Sequence, residues 1–231
     1  MTTAVLVSGQ MRTLDVCFGG IYEHVLLKIN KSGLSHSVYI EAHEDEDAHK
    51  ANMLCPTKIN IEPQPGMKDA RYEARLGLGC YGVEVVLRQL WSLQKSWRLM
   101  EQSNLSPFIA GNWVIRLRPD CWFHNDIEDF ADCDPACIYV PTFHNFYGLN
   151  DRFAFGGYEA MKVYCNRLDT MDEYIASGGI FHPESHLKWT LQRAGIEVKR
   201  TQILFDLVRR GGLHVKPQWN HDANYGDVLT C

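Results

Sequence analysis

The feature that most constrains the fold is the opening of the chain, where Ala4 to Val7 form a continuous apolar run that stops abruptly at Ser8-Gly9-Gln10. A strand that is apolar on both faces belongs inside a parallel sheet, because helices cover both sides of such a sheet. The residues that follow suit that reading. From Leu14 to about Ile29, the apolar Val16, Ile21, Val25, Leu26 and Ile29 recur at helical spacing, although Gly19-Gly20 weakens the helix. Val38-Tyr39-Ile40 is a second strand, trailed by the acidic run Glu44 to Asp47, and Lys58 to Ile61 is a third, closed by Pro63 and Pro65. Strand, helix and strand at this spacing make a βαβ unit, with a right-handed crossover expected.

Further on, residues 63 to 80 are rich in Gly and Pro, carry Arg71 and Arg75, and read as a long loop. Tyr81 to about Gln102 is the clearest helix, with Val83, Leu87, Leu90 and Trp97 on one stripe. Trp113 to Leu117 is a strand stopped by Pro119, and Cys137 to Val140 is another stopped by Pro141. A helix from Pro183 to Ala194 ends at Gly195, and Ile196 to Leu204 reads as a late strand. Nothing repeats and no linker divides the chain. The expectation is a single α/β domain over 1–231, a Rossmann-like mixed sheet flanked by helices, with a nucleotide-binding half at about 1–120 and an acceptor-side half at 121–231.

Composition narrows the function. With 231 residues, 45% hydrophobic and 22% charged, the chain can bury a core of ordinary size, which excludes a disordered tail or a coiled coil. A net charge of −5 argues against a nucleic-acid partner, while leaving room for a local basic pocket for one small anion. No apolar stretch has the length of a signal-peptide core or a membrane span, so a soluble, cytoplasmic protein is expected. The eight cysteines are scattered rather than framed like a secreted scaffold, which suits reduced thiols.

In an open α/β sheet, ligands bind outside the carboxyl ends of the strands. That rule selects Ser8, Gly9, Gln10 and Arg12 after the first strand, and Glu41 and His43 after the second. It selects Arg118 and Asp120 after the strand at 113–117, then His144, Asn145, Asp151 and Arg152 after the strand at 137–140. This set of Arg, Asp and His suits a diphosphate with a divalent cation: guanidinium binds phosphate oxygens in pairs, and a carboxylate holds a hard cation.

Three stretches in order carry a resemblance: Val5-Leu6-Val7-Ser8-Gly9-Gln10-Met11-Arg12, Ile115-Arg116-Leu117-Arg118-Pro119-Asp120, and Asn150-Asp151-Arg152-Phe153-Ala154-Phe155-Gly156. Together they resemble GT-A-fold glycosyltransferases, in particular the small domains with which large DNA viruses of algae glycosylate their capsid protein. The resemblance implies a GT-A-like fold, a nucleotide-sugar donor such as a UDP-sugar, a glycan or glycoprotein acceptor, and Mn²⁺ or Mg²⁺ at an Asp-x-Asp site. For a viral protein the host cytoplasm would be its place of action. Donor binding falls to Ser8, Gly9, Gln10, Arg12, Arg118 and Arg152. Only the final Asp of the metal pair is present, as Asp120, with His214 as a late ligand brought in by Gly211-Gly212 folding back over the donor. An inverting enzyme also needs a base for the acceptor hydroxyl. The candidates are Asp151 and Glu184, the latter at a helix start where backbone N–H groups would keep it ionised.

Rival readings rest on other residues. Asp132-Cys133-Asp134 is a literal Asp-x-Asp, but no apolar strand precedes it, and it reads as a turn. Cys121, His124, Cys133 and Cys137 have zinc-ligand types at irregular spacing. A sugar nucleotidyltransferase shares the sheet and the cation, yet its Gly-rich, Lys-containing turn is missing after the first strand. Six tryptophans leave open a non-catalytic carbohydrate-binding module.

Overall fold

The opening apolar run is the strand β1 (Thr2–Gly9), buried from Thr3 to Ser8 at the centre of the sheet. The structure, a computed structural model, describes residues 2–77, 82–103 and 112–216. Beside β1 lie β2 (Ser35–His43) and, at the edge, β3 (Lys58–Glu62). On its other side come β4 (Trp113–Leu117), β7 (Phe153–Gly157), β6 (Ile138–Pro141) and β8 (Val198–Thr201). The order is therefore 3-2-1-4-7-6-8, and every neighbouring pair is parallel except the two that β7 makes. A smaller sheet pairs β5 (Cys121–Phe123) with β9 (Phe205–Arg209) and β9 with β10 (Leu213–Val215).

Helices cover both faces of the large sheet, as continuous apolar strands require. On one face α1 (Leu14–Ile21) continues through a π-helical segment, Tyr22–Leu26, into α2 (Leu27–Lys31). Leu14, Ile21 and Val25 pack there with Val5, Ile40 and Ile115, and the small sheet adds Phe123 and Phe205 to the same core. On the other face α4 (Val83–Glu101), α5 (Tyr158–Cys165) and α7 (Pro183–Arg193) bury Leu93, Trp97, Met161 and Leu187 against Leu6, Val114 and Ala154. The short α3 (Ala70–Glu73) and α6 (Met171–Ala176) join the base of α4, with Tyr72 stacked on Phe181 at 5.2 Å. The result is a mixed α/β, Rossmann-like single domain, and no described helix is long and apolar enough to cross a membrane.

Three expectations are refined. The expected first helix runs on through Gly19-Gly20 and turns π-helical at Tyr22, and Gly20 is what lets it approach β5. A Cβ on Gly20 would sit 2.8 Å from the Phe123 amide nitrogen. The single late strand at 196–204 is instead two, since the chain leaves the large sheet after Thr201 and enters the small one at Phe205. Within the 63–80 loop, Asp69 caps α3 by accepting the Arg71 amide at 2.9 Å, whereas residues 78–80 lie outside the described residues, as does Tyr81.

Candidate functional site

The strand order reverses between β1 and β4: from β1 the chain moves outward to β2 and β3, then returns to place β4 on the opposite side. At such a switch point the loops after the two strands diverge and leave a crevice at their carboxyl ends. A cavity of about 810 Å³ opens there, lined by Ser8, Gly9, Gln10 and Arg12 from β1, and by Arg118, Pro119 and Asp120 from β4. Because β7 runs antiparallel, its leading residues Asp151 and Arg152 meet the same edge, and Glu184 arrives from the first turn of α7. Of the residues the sequence singled out, the structure brings Ser8, Gly9, Gln10, Arg12, His43, Arg118, Asp120, Asp151, Arg152 and Glu184 to this cavity, and leaves Glu41, His144, Asn145 and His214 out of its lining.

The charge balance of this crevice is opposite to that of the chain. Six guanidinia line it, those of Arg12, Arg88, Arg116, Arg118, Arg152 and Arg209, against three carboxylates, Asp120, Asp151 and Glu184. That is a surplus of at least three positive charges in a protein of net charge −5. Focused positive potential in a cleft raises the local concentration of anions.

Each carboxylate is already engaged. Asp120 accepts from Arg118 through both oxygens, Nε to Oδ1 at 2.7 Å and Nη2 to Oδ2 at 2.5 Å, and Arg209 Nη1 lies 3.7 Å from Oδ2. Burial pushes its carboxyl up, but Arg118, Arg209 and Arg12 outweigh that and hold it below the usual carboxylate range. Asp151 accepts from Gln89 Nε2 at 2.5 Å and faces Arg152 and Arg167 at 3.7 Å each. Desolvation again acts upward on it, and the charges of Arg152, Arg167, Arg116 and Arg118 prevail, so it stays ionised.

Glu184 behaves differently. Its Oε1 accepts from Arg152 Nη1 at 3.1 Å and its Oε2 lies 3.4 Å from His182 Nδ1. The expectation that the helix start would keep it ionised is overturned: burial first, and the negative charge of Asp151 second, push its carboxyl up to about 7. The local backbone explains that burial. The 142–151 loop lies on α7, with the Leu149 amide donating to the Glu184 carbonyl at 3.1 Å, and a Cβ on Gly148 would fall 2.0 Å from that carbonyl carbon. Above it, His144, Phe146 and Tyr147 adopt positive φ of 55°, 41° and 66°. Asn145 steadies this strained turn by accepting from the Asn150 amide and from Arg200, and Arg152 sits under the Phe146 ring at 5.5 Å. Phe146 and Tyr147 are left about half exposed at the cavity wall.

Sequence reasoning did not assign Arg116 a role, and it is the most telling residue of the site. Trp113, Ile115 and Leu117 face one side of β4, while Val114 and Arg116 face the other, so this guanidinium is folded into the interior at 1% exposure. Its Nη1 donates to the Arg152 carbonyl, but the buried Nε and Nη2 have no hydrogen-bond partner. An arginine inside an otherwise apolar five-residue strand was the signal available in the sequence. His182 was also passed over, and it joins His43, which the strand-end rule had selected. Both are buried on the cavity wall, His43 bonded to Ser92 Oγ at 2.8 Å, and desolvation depresses both below the usual imidazole value.

His214 is not among the cavity-lining residues. It stands on β10 with Nδ1 3.2 Å from Asp206 Oδ2 and its ring edge-on to Trp122, so Gly211-Gly212 form the β9–β10 turn and do not bring it over the crevice. Asp132 ends a 3-10 turn, Phe130–Asp132, as its surroundings predict. Among the described residues no three His, Cys, Asp or Glu side chains gather into a metal-binding group, and the zinc set of cysteines is not assembled. The donor chemistry at Asp120 likewise does not suit the Mn²⁺ or Mg²⁺ that the resemblance implies: both its oxygens are held by a guanidinium.

A Rossmann-like α/β domain with an arginine-lined crevice at its switch point is the class that this fold and site define. The chain belongs to the DUF7796 family, described as a domain of unknown function, whose model matches residues 1–220. Among curated proteins none matches it.

Proposed function

We propose that this protein is a glycosyltransferase that moves a sugar from a nucleotide-diphosphate donor, a UDP-sugar by resemblance, to a hydroxyl of a glycan or glycoprotein acceptor. The observation that carries the reading is the surplus of guanidinium in a switch-point crevice, where Arg116 also has two buried N–H groups without a hydrogen-bond partner. When the bond between the anomeric carbon and the diphosphate oxygen breaks, its electron pair goes to the diphosphate. Positive groups fixed where that charge develops lower the barrier without reorganising. That Arg116, Arg118 and Arg209 line the crevice supports this role for them.

The two acids divide the remaining work. A general base is most effective with a pKa near the working pH, which Glu184 at about 7 satisfies. It takes the proton of the acceptor hydroxyl as that oxygen attacks the anomeric carbon. Asp151, held ionised by its arginines, keeps Arg152 in place and orients the donor sugar. Phe146 and Tyr147 offer the acceptor an apolar rim beside Glu184.

Thermal unfolding with a panel of nucleoside diphosphates and nucleotide sugars tests this. At one hundred times its dissociation constant a ligand adds about 2.7 kcal/mol of stability, and a uridine diphosphate is expected to do so. No shift with any member of the panel, with or without Mn²⁺, rules the reading out. A shift with free glycan alone assigns the crevice to a carbohydrate-binding module.

A further inference from the structure

We infer that the diphosphate bound in this crevice is neutralised by guanidinium groups alone and needs no divalent cation. The inference rests on the nucleotide-diphosphate reading above and concerns how the anion is held. A cation bridging two phosphates needs carboxylate oxygens to anchor it, and Mg²⁺ in particular uses one or two carboxylates plus the phosphates. Here both Asp120 oxygens accept from Arg118, with Arg209 3.7 Å away. Asp151 is shared among Gln89, Arg152 and Arg167, and Glu184 between Arg152 and His182. A divalent cation entering at Asp120 would displace one guanidinium and meet others at close range, in a cleft that already carries surplus positive charge.

Arg116 supplies what the cation would otherwise provide. Nε and Nη2 are the two N–H groups on one edge of a guanidinium, the pair that takes a phosphate side-on through two parallel hydrogen bonds. Both are buried and unpartnered, on a residue that lines the crevice. Buried donors are almost always satisfied, so an orphaned pair at a cavity points to a ligand that completes it. A phosphate there would also lie among Arg118 and Arg209.

Calorimetric titration of UDP into the whole chain separates the possibilities, run once in EDTA and once in Mn²⁺. The expected dissociation constants agree within about threefold. Asp120→Asn sharpens the result because the two schemes give opposite signs. Removing a negative charge that occupies Arg118 leaves UDP binding equal or tighter if arginines hold the anion, and weakens it more than tenfold if Asp120 holds a metal. Arg209→Gln, at a position about one-third exposed, is expected to weaken UDP in EDTA by about threefold to tenfold. Binding that appears only with Mn²⁺, or a tenfold loss in Asp120→Asn, overturns the inference and leaves the glycosyltransferase reading standing. No binding in either arm by UDP or by any other nucleoside diphosphate or nucleotide sugar of the panel removes both.

Discussion

In the small sheet, Asp206 is buried with His124 Nε2 3.1 Å from one oxygen and His214 Nδ1 3.2 Å from the other. In the neighbouring crevice, Asp151 is just as buried, yet it stands among permanently charged guanidinia that outnumber the acids facing them. The first cluster pairs one acid with two imidazoles, which can be neutral and still serve as partners, His214 through a hydrogen bond to Oδ2 and His124 by proximity to Oδ1 alone. The second stays unbalanced, since arginine cannot shed its proton and a surplus guanidinium stays a surplus until an anion arrives. Similar residue types at similar depth therefore make a structural clasp in one place and a binding site in the other.

Asp151→Asn strikes the unbalanced cluster hardest. Breaking a buried ion pair by removing one partner costs roughly 3–5 kcal/mol, because the other charge stays buried and uncompensated. Urea unfolding of Asp151→Asn and Asp206→Asn side by side is expected to show that loss for the first and about 1 kcal/mol for the second, the scale of an ordinary hydrogen bond. Equal losses would break the contrast.

Arg116→Met comes next. Its Nη1 hydrogen bond to the buried Arg152 carbonyl and its charge beside Asp151 are lost, so ligand-free stability is expected to fall by about 1–3 kcal/mol. UDP affinity is expected to fall about a hundredfold, or about 2.7 kcal/mol. A variant that binds UDP normally would show that the anion sits elsewhere in the crevice.

Glu184→Gln is expected to lower turnover by roughly a hundredfold with donor binding unchanged. In the wild type, a base with its carboxyl at about 7 gives activity that is lost as pH falls through that value, and the variant has no such limb. Stability runs the other way. The folded-state value lies above the ordinary 4.5, so the native chain holds a proton that the unfolded chain has released. The contribution is complete below about pH 4.5 and is lost as pH rises through about 7. A stability–pH curve that is the same with and without Glu184 would contradict its burial.

The smallest change belongs to the histidine cluster. His214→Ala is expected to cost less than about 1 kcal/mol, with Asp206 retaining His124, and to leave UDP affinity unchanged. Loss of UDP binding would restore His214 to the site.

The contrast between the clusters also explains what could be read in advance. Strands β1, β2, β4 and β6 and helices α4 and α7 follow from apolar runs and stripes with polar or proline stops, which are local signals. The carboxyl-end rule then found Ser8, Gly9, Gln10, Arg12, Arg118 and Asp120 on one crevice, because the edge a residue occupies depends only on strand direction. Arg116 escaped that rule by lying inside its strand. His43, which the same rule selected, is the last residue of β2 and does line the crevice. His214 was drawn toward the crevice by its neighbouring glycines, but β10 pairs with β9 and holds it against Asp206.

By itself, then, the sequence determined that this chain forms an α/β sheet with polar, arginine-bearing ends, since periodicity and strand stops act over a few residues. The tertiary structure alone decided which charges meet. Arg116 and Asp151, and Arg152 and Glu184, are more than thirty residues apart in the chain, and only the antiparallel β7 and the loop resting on α7 bring them together. Protonation and pairing depend on burial and on distances of a few ångströms between such remote groups. For that reason Glu184 came out near neutrality and Asp151 ionised, although both began as equal candidates for the same task.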